Sequence, residues 1–248
     1  MTSDVHDYYE TYWSDAGYYP RGGLAPEVRR LLDEQVPPHA RCLDVGCGDG
    51  RTAGLYLRER GCEYVGVDIS ANAVRDANAI GLDARQIEDA AALPFADGTF
   101  DVALVIEALE HMFQPQCAVG EILRVLRPGG ILLATVPNVA YWRRRADLAL
   151  LGRWNPFGDD LSVSQPWRDP HIRFFSPRTL RGMLVASGYR PVLTGGHGGA
   201  FLRDLPALRR LANGTASRPY RFAESLLPAL LSARTHAVAH KPFPGHER

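Results

Sequence analysis

The sequence predicts an α/β fold: a mostly parallel sheet of seven strands with helices on both faces. Two observations lead there. Short apolar runs alternate with helical patterns through the middle of the chain, as strands joined by crossover helices do. A glycine-rich turn also sits where the first apolar run passes into the helix after it.

Taken in order, Pro26 to Gln35 is expected to be a helix: Pro26 suits the first helical position, and Val28, Leu31 and Leu32 form one stripe. Arg41 to Gly46 is a buried strand, and Gly50 to Arg60 the helix after it. Tyr64 to Asp68 is the second strand. Ser70 is placed to cap a helix over Ala71 to Ile80, which Gly81 stops. Ala84 to Ile87 and Asp101 to Ile106 are the third and fourth strands. Val119, Ile122, Leu123 and Leu126 form a helical stripe ended by Pro128-Gly129-Gly130, and Ile131 to Val136 is the fifth strand. The pattern then changes. Asn138 to Pro170 is rich in Arg, Trp and Asp with no β period, as in an insertion over the sheet. Ser176-Pro177 opens another helix that Gly188 ends. Tyr189 to Thr194 and His236 to His240 form a closing pair of strands, with Gly195 to Leu231 helical or irregular between them.

Composition narrows the class. The 248 residues carry 28 Lys+Arg against 28 Asp+Glu, so no global basic field draws the chain to nucleic acid or acidic lipid. Cys42, Cys47, Cys62 and Cys117 have no CxxC spacing, which suggests reduced thiols and a cytoplasmic protein. No apolar run reaches the length of about 18 residues needed for a transmembrane helix. The acidic, aromatic stretch Met1 to Tyr12 is unlike a signal peptide. The whole chain, 1–248, is expected to be a single domain.

Leu43-Asp44-Val45-Gly46-Cys47-Gly48-Asp49-Gly50 forms the glycine-rich turn. Such a turn lets backbone approach a ligand, and the following helix N-terminus is expected to offer free N–H groups. Asp68 ends the next strand, where an acidic side chain can take ribose hydroxyls. A dinucleotide fingerprint needs a third glycine where Arg51 stands, and Asp44 and Asp49 make the turn negative. A cationic nucleoside suits it better than a pyrophosphate.

These motifs, with Val65-Gly66-Val67-Asp68, Leu93-Pro94-Phe95 followed by Phe100-Asp101, and Leu126-Arg127-Pro128-Gly129-Gly130, make the chain resemble the class I S-adenosylmethionine-dependent methyltransferases. The resemblance runs closely from about Arg41 to Pro137. It implies a Rossmann-like sheet and S-adenosyl-L-methionine as cofactor. It also implies a cofactor-binding set of Asp44, Gly46, Gly48, Gly50, Asp68, Ile69, Asp89, Ala90 and Glu107. Gly46, Gly48 and Gly50 would line the methionine end, Asp68 the ribose, and Asp89 with Ala90 the adenine. Residues 1–25, with Tyr8, Tyr9, Tyr12 and Trp13, would form an N-terminal cover, or ordinary core.

A hydroxyl acceptor must lose its proton, so it calls for a base or a metal. Glu107, Glu110 and His111 are spaced i, i+3, i+4 after the fourth strand and would share one face of a helical turn. With His171 they form a candidate site for a divalent cation such as Mg²⁺. This E-x-x-E-H pattern resembles two metal-assisted O-methyltransferase groups, one making ubiquinone and one acting on the terminal 2′-hydroxyl of small RNAs. Two other readings stand beside the metal: His111 with Glu110 as catalytic base, or a Glu-His element that caps the strand and orients the cofactor.

The resemblance makes residues 138–175 a substrate lid. Trp142, Trp154, Phe157 and Trp167 would face the acceptor, and the arginines 143–145 would be solvated partners of Asp147, Asp159 and Asp160, with membrane contact as the competing reading. The expected function is methyl transfer to a small-molecule acceptor, most readily a hydroxyl. The alternatives are N- or C-methylation, a non-catalytic cofactor-binding partner subunit and, disfavoured by Arg51, a nicotinamide-dependent reductase. One arginine triplet on a neutral chain disfavours RNA as partner. A homodimer is left open.

Overall fold

The computed structural model describes residues 7–11, 24–154, 164, 171–198 and 226–245. The chain runs α1 (Pro26–Gln35), β1 (Arg41–Val45), α2 (Gly54–Glu59), β2 (Glu63–Asp68), α3 (Ala71–Ala79), β3 (Ala84–Gln86) and β4 (Phe100–Ile106). A 3₁₀ turn (Leu109–His111), α4 (Pro115–Val125), β5 (Leu126–Pro137), α5 (Trp142–Leu151), α6 (Pro177–Ala186), β6 (Val192–His197), α7 (Pro228–Leu231) and β7 (Arg234–His240) follow. Residues 7–11 form a further helical turn.

The seven strands lie in the order β3-β2-β1-β4-β5-β7-β6. The first five are parallel, and β7 runs antiparallel to both β5 and β6. The order reverses between β1 and β4, and an open α/β sheet binds its ligand outside the strands' C-terminal ends at such a switch point. Each sheet face carries its own core. One joins Leu43, Val45 and Val105 to Ile122, Leu180 and Tyr189; the other joins Cys42 and Leu104 to Leu32, Leu57 and Ala77. Among the described residues, no helix is long and apolar enough to cross a membrane, and all four cysteines are free thiols.

Local chemistry explains most elements. Ser70 caps α3 by accepting from Ala73 N at 3.2 Å, and Gly81 follows in left-handed conformation at φ +83. Ser176 and Thr179 close a capping box at the start of α6.

The departures from expectation have physical causes. α2 begins at Gly54, not Gly50, because Gly50 N bonds back to Cys47 O at 3.0 Å and keeps the turn closed. Leu126 leaves the helical stripe and starts β5 opposite Phe100, with Pro128-Gly129-Gly130 bulging before the register resumes at Val102 and Ile131. Lys241 supports this bend by donating to Leu126 O at 2.7 Å and Arg124 O at 3.1 Å. β6 lies later than expected, at Val192–His197, because Tyr189 turns into the core and donates its hydroxyl to Val119 O at 3.0 Å.

The ends of the 138–175 segment meet: Asn138 bridges to Phe175, and Val139 N donates to Phe175 O at 3.0 Å. Between them α5 buries none of its residues. Trp154 lies edge-on to Phe174 at 5.6 Å. Tyr12, Trp13, Phe157, Asp159, Asp160 and Trp167 lie outside the described residues.

Candidate active site

The β1 turn is held mostly by its own hydrogen bonds. Gly46 N and Cys47 N both donate to Val67 O, Gly48 N to Asp68 Oδ2 at 2.9 Å, and Arg51 N to Asp49 Oδ1 at 3.0 Å. The N–H groups of Gly46, Cys47, Gly48, Gly50 and Arg51 are therefore taken internally, the first three because the turn folds back on the end of β2. Gly46 and Gly50 are required by packing. Both have positive φ, and an added Cβ would lie 2.6 Å from Ala108 Cβ at Gly46 and 2.2 Å from Leu82 Cδ1 at Gly50.

Two buried carboxylates flank the turn. Asp44 is 3% exposed and accepts from the Tyr64 hydroxyl at 3.0 Å. Burial pushes its pKa up to about 7 against the pull of Tyr64, and nearby Asp68 adds to the rise. Asp68 accepts from Gly48 N on one oxygen and from Ser70 N, at 3.0 Å, on the other. Burial raises its pKa, the backbone N–H groups of Ser70, Gly48 and Ile69 oppose, and Glu10 raises it further. A carboxylate has about four acceptor positions, so each oxygen keeps capacity for one hydroxyl of a vicinal diol. Ile69 is half-buried, and its carbonyl accepts from Gln86 Nε2 at 3.1 Å. Asp89 is exposed and turns in on Ala91 N at 2.9 Å, beside half-buried Ala90.

A second polar cluster is built at the end of β4. Glu110, His111 and His171 bring ligand atoms within 4.8 Å of one another. The two imidazoles stack with centroids 4.5 Å apart. Ile172 N and Arg173 N both bind Glu110 O, which draws the His171 segment onto the turn. Glu110 is 1% exposed, and neither carboxylate oxygen has a hydrogen-bond partner. Burial, then the charge of Glu107, raises its pKa well above the usual carboxylate range, opposed by its own backbone N–H and by Arg234. Two unpartnered buried oxygens beside two imidazoles form a donor set that fits a proton or a divalent cation.

Glu107 stands outside this cluster. Its Oε1 accepts from Thr135 Oγ1 at 3.0 Å and its Oε2 from Arg234 Nε at 2.7 Å. Residues 7–11 bridge the two sides: Glu10 accepts from Ala71 N and Asn72 N at the start of α3, and Tyr9 lies edge-on to His111 at 6.1 Å. Sequence reasoning missed Tyr64, Glu10, Thr135 and Arg234. Only Tyr64 had a signal, an aromatic hydroxyl on a strand beside an acidic one.

The strand order, with five parallel strands and an antiparallel β7, is that of a class I methyltransferase fold. A family model described as a methyltransferase domain matches residues 13–194, and the chain belongs to that family of S-adenosylmethionine-dependent enzymes. It is 32% identical over 157 residues to 2-methyl-6-phytyl-1,4-hydroquinone methyltransferase of Synechocystis sp., covering 56% of this chain and 48% of that one. It is 39% identical over 116 residues to an O-methyltransferase of Aspergillus sclerotiorum, covering 44% and 43%. The chain thus spans under half the length of these relatives. A Haemonchus contortus phosphoethanolamine N-methyltransferase, solved in complex with S-adenosyl-L-methionine, shares the fold at TM-score 0.62 and 17% identity over 98% of this chain and 58% of that one.

Proposed function

We propose that this chain binds S-adenosyl-L-methionine between the β1 turn and Asp68 and directs its methyl group to a hydroxyl of a small molecule. The observation that carries this reading is the cluster of buried Glu110 with half-buried His111 and His171 at the end of β4, on the sheet edge that also carries Asp44 and Asp68. The bound cofactor supplies an already activated methyl group, so the protein's work is alignment, exclusion of water and handling of one proton. Asp68 takes the ribose hydroxyls. Asp44 and Asp49 set negative potential around a sulfonium. Tyr9 and Glu10 close the crevice over α3 and His111. His111 accepts the proton of the acceptor hydroxyl, and Glu110, whose pKa burial raises, is a second proton-exchanging group at its side.

Incubation with S-adenosyl-L-methionine and hydroxylated aromatic and aliphatic compounds is expected to give methyl ethers. Products methylated only on carbon or nitrogen would overturn the hydroxyl assignment. Failure to bind S-adenosylhomocysteine would overturn the whole reading.

A second reading is favoured by the unpartnered oxygens of Glu110. Glu110, His111 and His171 would hold a divalent cation that acidifies a bound hydroxyl. In that case chelator abolishes turnover and added Mg²⁺, Mn²⁺ or Zn²⁺ restores it. Full activity in excess chelator assigns the proton to His111 alone.

A further inference from the structure

Arg234 completes the site from a direction that no motif announces. It opens β7, opposite Pro137 of β5 and His197 of β6. Its Nε is fixed to Glu107 Oε2, and the other Glu107 oxygen is fixed by Thr135. Glu107 adopts a left-handed backbone at φ +51, uncommon for a residue with a side chain and often found where a side chain must be aimed. Here the carboxylate meets β5 and β7 instead of the Glu110–His111–His171 cluster.

A guanidinium carries five N–H donors. Glu107 uses the Nε donor. The four on Nη1 and Nη2 meet no hydrogen-bond acceptor among the described residues. The Arg234 side chain is 51% exposed, yet surrounding protein partly desolvates it and both Glu107 and Glu110 lie within its electrostatic reach. Anchoring by one edge removes rotamer freedom that a solvated arginine would lose on binding, and the opposite edge presents a planar fork matched to a carboxylate. Arg234 and Glu107 together are neutral, so a bound carboxylate leaves the group at one net negative charge and is held by the bidentate hydrogen bonds of the fork, not by a net positive charge. A dianionic phosphate would set two charges against it beside Glu107.

We infer that Arg234, anchored by Glu107, selects the acceptor by docking a carboxylate on Nη1 and Nη2 while the acceptor's hydroxyl faces His111. The inference rests on the methyl-transfer reading above and adds a substrate class to it: hydroxy acids.

The test uses the full chain with saturating S-adenosylhomocysteine. The probes are hydroxybenzoic and hydroxyalkanoic acids, each paired with its methyl ester. Acids are expected to stabilise the complex in thermal unfolding, and the favoured acid to bind about 10- to 100-fold more tightly than its ester, the range of a charge-assisted bidentate pair. R234Q should erase that preference, and R234K, which keeps the charge and loses the fork, should recover only part of it. With labelled S-adenosyl-L-methionine, the loss should appear in KM for the acid more than in kcat. Equal binding of acids and esters, no binding by any acid, or an acid preference that survives R234Q would each overturn the inference while leaving methyl transfer intact. Weaker S-adenosylhomocysteine binding in R234Q would also overturn it, by placing the guanidinium on the cofactor. Failure of the unsubstituted protein to bind S-adenosylhomocysteine would instead remove the underlying reading.

Discussion

The two sides of the site are built differently. On the cofactor side, β1 and β2 bury all but their first residues, and the carboxylates of Asp44 and Asp68 are fixed by Tyr64 and by backbone N–H groups. On the acceptor side, α5 buries nothing, Leu150 is 80% exposed, and the polar groups arrive from the ends of β4, β5 and β7 and from the segment at His171. Backbone geometry holds the first half. The second depends on long side chains meeting across strands. A turn that receives an unchanging cofactor can be fixed by backbone hydrogen bonds, whereas an acceptor pocket assembled from side chains can be altered one residue at a time.

The largest effect expected lies on the acceptor side. His111→Ala or Glu110→Gln should lower kcat by about 10²- to 10⁴-fold, the usual contribution of general acid–base catalysis, while S-adenosylhomocysteine affinity by calorimetry stays near its starting value. Near-normal kcat would collapse the division between the two sides.

Packing gives the next contrast. Leu104 is fully buried in β4, so Leu104→Ala should cost about 2–5 kcal/mol in denaturant unfolding. Leu150→Ala, at an exposed position on α5, should stay within about 0.5 kcal/mol. A large cost at Leu150 would mean that α5 is packed as the core is.

Asp68→Ala should weaken S-adenosylhomocysteine by about 10- to 100-fold through lost charge-assisted hydrogen bonds. It should also destabilise the turn, since Gly48 N and Ser70 N lose their acceptor. Unchanged affinity would remove the ribose role.

A further contrast is a pH dependence on the β6–β7 edge. His197 and His236 stack 5.5 Å apart with Nδ1 atoms at 3.3 Å. Burial, then His236 and Arg234, lowers the His197 pKa to about 3; burial, then Arg30, lowers that of His236 to about 4. Below pH 6.5 the unfolded chain takes up protons that the folded chain refuses. Stability should be full above about pH 6.5 and fall toward pH 4 for His236 and pH 3 for His197, by up to about 1.4 kcal/mol per pH unit for each group. His236→Asn should flatten that slope in unfolding measured from pH 7 to pH 4. An unchanged slope would assign the acid sensitivity elsewhere.

Legibility followed the same division. The sheet was readable because buried strands and crossover helices write their periods locally, and the Ser70 and Ser176 caps are local chemistry as well. Element ends were harder. Leu126 continues a helical stripe in sequence yet opens β5, because pairing with Phe100 and support from Lys241 come from distant parts of the chain. In the site, Asp44 was visible in the glycine-turn motif, Asp68 at a strand end, Glu110 and His111 just after the fourth strand, and His171 just after the insertion. The E-x-x-E-H spacing suggested that Glu107 belongs with Glu110 and His111. A left-handed residue at the end of β4 turns it instead toward Thr135 and Arg234.

By itself the sequence determined the strand–turn–helix grammar, the acidic glycine turn and the family, because these follow from neighbours within about ten positions of one another. The tertiary structure decided that the turn's N–H groups are used internally, that Glu110 is buried without a hydrogen-bond partner, and that Arg234 reaches Glu107. Each of those depends on strand order and register, which bring Gly48 to Asp68 and Glu107 to Arg234 within hydrogen-bonding distance and exclude water from Glu110 beside them.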